Sequence, residues 1–206
     1  MTLHFEVDPE LTERLRAEII ACWTDVTNAG GAVGFVPPIT MDDVLPTAEA
    51  QFAGVLAGRD RLVVGRVAEG EQAGRVAALA FLVANDFAFT AHWLTLKRVM
   101  VHPDFQGSGY GYRLMAELAA VARDSGIEQL HLDCRAGTGS DLFYKKCGYT
   151  EYGRFPKALK LPGRDEDGSG ATPAANHVEA RGASAANHVE ARGASYRDLI
   201  LMALEL

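Results

Sequence analysis

Two periods of apolar residues alternate along this chain, and together they predict an α/β domain. Leu11, Leu15, Ile19, Cys22 and Val26 recur at four, four, three and four residues, one apolar face of a helix. Asp8-Pro9-Glu10 reads as its start, an N-cap carboxylate followed by first-turn proline and acid, and Gly30-Gly31 as its stop. Residues 32–38 (AVGFVPP) are apolar but broken by glycine and proline, which predicts a loop packed over the body. A second helix is expected either from the capping pattern Thr40-x-x-Asp43 or from Pro46 as its first turn, with Ala48, Phe52, Val55 and Leu56 inward. Residues 61–68 and 75–84 read as strands around the turn 69–74; the second lacks alternation, as a strand covered on both faces would.

The stretch from Leu94 to Leu118 organises the second half of the chain. Leu94, Leu96, Val99, Met100 and Val101 predict a buried strand, His102-Pro103-Asp104 a turn, and residues 106–111 (QGSGYG) a glycine-rich loop. Tyr112, Leu114, Met115, Leu118, Ala119 and Ala122 then share one helix face, ending near Ser125-Gly126. Residues 128–134 form a short strand with His131 and Asp133 on one face and Leu130, Leu132 and Cys134 on the other. A short helix over 141–147 stops at Gly148, an extended piece runs over 150–161, and 196–206 is a final strand that could pair across a homodimer. Residues 174–184 and 185–195 are identical copies of AANHVEARGAS. They bury little, so 163–195 is expected to be a flexible insertion in a single domain, 1–206. His177 and His188 lie in that polar repeat without fixed geometry, so no metal site is expected.

Composition narrows the partners. With 206 residues, 48% hydrophobic and 23% charged, the chain is long enough for one sizeable core. A formal charge of −7 disfavours nucleic-acid and anionic-membrane partners, both of which need basic surface. No apolar run approaches the ~18 residues of a membrane span, and the N-terminus has no signal-peptide pattern. Cys22, Cys134 and Cys147 make no CxxC pair, so buried structural thiols in a reducing cytoplasm are expected.

Unpaired amides at a helix start, approached over glycines, suit phosphate oxygens. A P-loop requires Lys and then Ser/Thr after its last glycine, but Tyr112 and Arg113 follow Gly111. A dinucleotide GxGxxG fails from either start, because Tyr112 and Leu114 occupy the third glycine's place. The order Gln106-x-x-Gly109-x-Gly111, after Val99-Met100-Val101-His102-Pro103, instead resembles the acyl-CoA pyrophosphate loop of the GNAT acetyltransferase superfamily. Phe143-Tyr144-Lys145-Lys146-Cys147-Gly148-Tyr149 resembles that superfamily's second signature. Within it, Gly30 to Phe35, Leu130 to Asp133, Ala136-Gly137 and Phe143-Tyr144 look most like the tabtoxin-resistance acetyltransferases.

The resemblance implies a GNAT fold, a mixed sheet of about six to seven strands flanked by about four helices. It implies acetyl-CoA-dependent N-acetylation of a small-molecule amine, antibiotics and toxins included. A protein N-terminus or lysine as acceptor, or an acyl-CoA-binding sensor without catalysis, are the alternatives. Val99, Met100 and Val101 would meet the pantetheine arm, and Gln106, Gly107, Ser108, Gly109, Tyr110, Gly111 and Tyr112 the pyrophosphate. Tyr144 would protonate the departing sulfur, Asp133 would serve as base and touch the acceptor, and Phe35 would line the acceptor pocket. An ordered water or His131 competes with Asp133 for the base. Thr95 and Gly137 stand where relatives carry Glu and Asn, which leaves the base open.

Overall fold

A computed structural model describes residues 2–162 and 195–206. The expected insertion, with its tandem repeat, lies outside the described residues up to Ser195. Seven strands form one sheet: β1 (Leu3–Val7), β2 (Arg61–Val67), β3 (Val76–Val83), β4 (Trp93–Val101), β5 (Gln129–Arg135), β6 (Thr150–Leu161) and β7 (Ser195–Glu205). Four helices flank it: α1 (Glu13–Asn28), α2 (Met41–Leu56), α3 (Tyr110–Asp124) and α4 (Ser140–Lys146). The sheet order is β1-β2-β3-β4-β5-β7-β6; β4 and β5 are parallel and the other neighbours antiparallel.

Alternation in the central strands creates two cores. Val63, Ala78, Ala80 and Leu82 join Leu114, Leu118 and Ala122 of α3 on one face. Leu62, Val64, Leu79 and Phe81 join Ile19 and Trp23 of α1 and Phe52 of α2 on the other. Every residue of β3 except the last is therefore buried, as its unbroken apolar run requires.

Several local expectations change. β1 was not anticipated: its five residues are short, and it is held mainly by pairing with β2. Asp8 does not cap a helix. Its carboxylate accepts from the Leu62 amide at 2.8 Å and from Arg61, which ties the end of β1 to β2. Thr12 caps α1 instead, accepting from the Leu15 amide at 3.2 Å. Thr40 and Asp43 do form a reciprocal capping box, so α2 begins at Met41 and carries Pro46 inside it. Leu56 is exposed and Val44 takes an inward position. On α3, Tyr110 is buried while Tyr112 is exposed and rests on Phe143, ring centroids 5.2 Å apart. The final strand β7 is paired on both edges, by β5 and β6, so the outer edge on that side of the sheet belongs to β6.

Candidate active site

The parallel pairing of β4 with β5 covers only Trp93–Thr95 against Gln129–His131. Beyond it β5 stays paired only with β7 and β4 only with β3, so the sheet opens into a cleft. A bulge in β4 shapes this wall. Leu79 and Phe81 of β3 face Met100 and Lys97, which leaves one extra residue on β4, and Arg98 takes φ of 55°. The bulge also resets alternation: Leu94 and Leu96 face α3, whereas Met100 packs into the α1/α2 core. The His102 amide donates to the Ala77 carbonyl of β3 at 2.9 Å. Alternation therefore sends the amide of Val101 away from β3, into the cleft. The Val101 carbonyl accepts from the Gln106 side chain at 3.0 Å, which locks the first residue of the glycine loop to the strand.

The loop is held from below. His102 Nδ1 accepts from the Asp104 amide at 3.2 Å, Pro103–Phe105 form a 3-10 turn, and Phe105 is buried against Tyr110. Gly107 and Gly109 then adopt φ of 77° and 78°, a conformation that side chains disfavour, and a Cβ on either would project into open space. The first amide of this helix bonded back to the turn is that of Arg113, to the Gly109 carbonyl at 3.3 Å. Amides ahead of it point out of the N-terminus of a fifteen-residue helix, at its positive end. Gly111 has a different reason: a Cβ there would lie 3.1 Å from the Phe143 ring, so its absence lets α4 seat on α3.

These pieces line one cavity of about 550 Å³, bounded by Val99, Val101, Gly107, Gly109, Tyr112 and Tyr144. Phe105, Gln106, Tyr110, Gly111, Ser140 and Phe143 complete its wall. Met100 faces the opposite core. Burial drives the Tyr144 hydroxyl well above the ordinary tyrosine range, and the neighbouring Cys134, Cys147 and Asp133 push it the same way. It is therefore protonated across the neutral range. Burial likewise raises Cys22 to about 12 and Cys134 to about 11, so both remain neutral thiols.

Across the cleft, Asp133 is half exposed and paired with Lys97 at 2.9 Å. Beside it three rings from three strands meet: His131 lies 4.3 Å from Trp93 and 5.5 Å from Tyr152 between centroids. Gln129 Oε1 lies 2.9 Å from His131 Nε2, and the Tyr152 hydroxyl 3.4 Å from Nδ1. Thr95 sits in register with His131. Phe35 is buried, edge-on to Trp23 at 5.8 Å. Lys97, Arg98, Trp93 and Tyr152 were not anticipated. The one readable signal was two consecutive charges, Lys97-Arg98, interrupting an apolar strand, which alternation cannot absorb without a bulge.

The cavity fits an acyl-CoA: amides and open glycines for a diphosphate, an outward strand amide for an extended arm, and a hydroxyl at the far end. Among the described residues no helix is long and apolar enough to cross a membrane. Residues 59–151 match the family model described as an acetyltransferase (GNAT) domain. Among solved structures, yncA of Salmonella typhimurium, determined with its cofactor acetyl-CoA, is 18% identical, with a TM-score of 0.64 over 100% of this chain and 95% of that one. An N-acetyltransferase from Staphylococcus aureus Mu50 is 15% identical, with a TM-score of 0.66 and coverage of 100% and 99%. Ribosomal-protein-alanine N-acetyltransferase from Brucella melitensis is 19% identical, with a TM-score of 0.62 over the whole of both chains. The motif spacing, the split sheet and these matches converge on one likeness: residues 59–151 match a GNAT acetyltransferase domain, within a fold that the solved acetyltransferases share.

Proposed function

We propose that the protein moves an acetyl group from acetyl-CoA directly to the primary amine of a small molecule bound beside it. The observation that carries this reading is the single cavity that runs from the glycine-loop amides, along Val99 and Val101, to Tyr144. Acetyl-CoA supplies an acyl thioester, whose carbonyl is already electrophilic, so the protein's own part is positioning and proton handling. Amides of residues 107–112 hold the diphosphate, Val99 and Val101 align the arm, and the Val101 amide faces the thioester oxygen as an oxyanion donor.

Proton handling divides between the two cleft walls. Tyr144, kept neutral by burial, presents its O–H to the sulfur as negative charge develops there. An alkyl ammonium of pKa ~10 has to lose a proton before it attacks. Asp133 is the carboxylate at the mouth and takes that proton directly or through a water, with the Lys97 pair opening to admit the amine. Phe35 packs edge-on to Trp23, the ring over which Arg98 of β4 lies.

The likeness to tabtoxin-resistance enzymes makes toxin and antibiotic amines natural members of an acceptor panel. The experiment is CoA-thiol release with small amines and with N-terminal peptides, alongside calorimetric binding of CoA. Transfer to small amines is expected. Preference for peptides, or CoA binding without transfer to any amine, would overturn it.

A further inference from the structure

Resting on that reading, we propose that the acceptor carries a carboxylate or related oxyanion close to its amine, and that Arg98 at the β4 bulge binds it. Arg98 immediately follows Lys97, whose ammonium holds Asp133, and immediately precedes Val99 on the donor wall. Its guanidinium carbon lies 4.9 Å from the Trp23 ring centroid, over the ring face. On its other side Gly34 of the α1–α2 loop makes room for it: a Cβ there would come within 2.4 Å of Arg98 Nη1. The loop, the bulge and α1 thus build a slot whose occupant is this one guanidinium.

Among the described residues the slot holds no counter-charge. Arg98 Nε is buried without a hydrogen-bond partner, and no ion pair to Arg98 occurs among the described residues. Asp133 is the acid whose charge acts on it, and that carboxylate is already taken by Lys97. Shortage of acid is no explanation, since the chain has 27 Asp and Glu against 20 Lys and Arg. Guanidinium stays charged at any working pH, and a partly buried charge without a partner is unfavourable. Such a group is retained at a reaction centre where a ligand supplies the missing anion. Guanidinium also matches a planar carboxylate in two parallel hydrogen bonds.

A second cation extends the same face. Arg135 lies two residues beyond Asp133 on β5, about 7 Å along the strand, and its Nε is also buried and unpartnered. An acceptor with a second anionic group would find Arg135 there.

The test compares matched amines on the wild-type protein: amino acids, their carboxamides and their decarboxylated counterparts, with thiol release as readout. The carboxylates should show KM about 10–100-fold lower, the range of a charge-assisted hydrogen bond. Arg98→Met should erase that preference and leave CoA binding intact by calorimetry, and Arg98→Lys should restore part of it. Binding of N-acetyl amino acids to the CoA-free protein, also by calorimetry, gives a readout independent of turnover. Amines turned over without carboxylate preference would overturn this proposal and leave the acetyltransferase reading standing. So would N-acetyl amino acids that fail to bind a protein that binds CoA. Failure to bind CoA at all would instead strike the reading beneath it.

Discussion

Under the proposed function, the two walls of the cleft would recognise their ligands by different means. On the proposed donor side, the contacts would be main-chain groups: strand amides at Val99 and Val101, then loop and helix amides over residues 107–112. On the acceptor side they are side chains from scattered segments, Trp93, Lys97 and Arg98 of β4, His131 and Asp133 of β5, and Tyr152 of β6. A main-chain site needs glycines at fixed spacing and tolerates much else around them. A side-chain site depends on each residue and can change without disturbing the fold. On that proposal, donor chemistry would be fixed by the architecture and acceptor choice left to the side chains.

The largest effect should come where the two walls meet. Tyr144→Phe keeps the ring that packs on Phe143 and Tyr149 and removes only the hydroxyl. Turnover should fall about 10²-fold, the usual contribution of a positioned acid, with CoA affinity by calorimetry nearly unchanged. Equal loss of both would mean that Tyr144 shapes the donor site rather than serving the sulfur.

Next comes the donor wall itself. Gly109→Val forces a branched side chain into φ of 78°, at about 1–2 kcal/mol, and sets a Cβ in the space where a diphosphate would lie. CoA binding should weaken about 10-fold or more, with a melting temperature lower by a few degrees. Intact CoA affinity would show that the diphosphate lodges elsewhere. Gly111→Ala should act differently although it is two residues away. Its methyl meets the Phe143 ring, so α4 and Tyr144 have to shift while the outward amides stay. Turnover should fall several-fold and CoA affinity little. If affinity falls instead, the donor wall is less independent of α4 than the geometry implies.

This contrast also explains what the residues disclosed in advance. The glycine loop, the strand before it and the helix after it were legible because backbone recognition leaves a local, evenly spaced trace. The two-sided burial of β3 was legible from its apolar run. Asp8 was misread because an aspartate beside a proline serves a strand end as readily as a helix start, and only the distant Leu62 amide decides between them. Tyr110, not Tyr112, continues the inward face because it lies four residues before Leu114, in phase with Leu118 and Ala122, whereas Tyr112 falls out of phase. Arg98 and Tyr152 could not be placed, since what gives them meaning is Trp23 and Gly34 in one case and His131 in the other, all remote in sequence.

The smallest expected effect tests whether the acceptor face titrates as its packing implies. Burial lowers the His131 pKa below the ordinary histidine value, and His92 adds repulsion to the charged form. Its contacts suit a neutral ring: Nε2–H donates to Gln129 Oε1, and Nδ1 accepts from the Tyr152 hydroxyl. The unfolded chain therefore takes up this proton more readily than the folded one. Stability from His131 is fully present above the unfolded value of about 6.5 and is lost as pH falls through the lower folded value. Carboxylates such as Glu151, held low by the Arg154 hydrogen bond, lose their contribution only at more acidic pH, so the windows separate. Melting temperature should decline between about pH 6.5 and 5 in the wild type, and less in His131→Gln, whose amide can still reach Gln129. Parallel curves for the two proteins would mean that the ring is charged or solvated in the fold, and that this face is wetter than the stack of Trp93, His131 and Tyr152 implies.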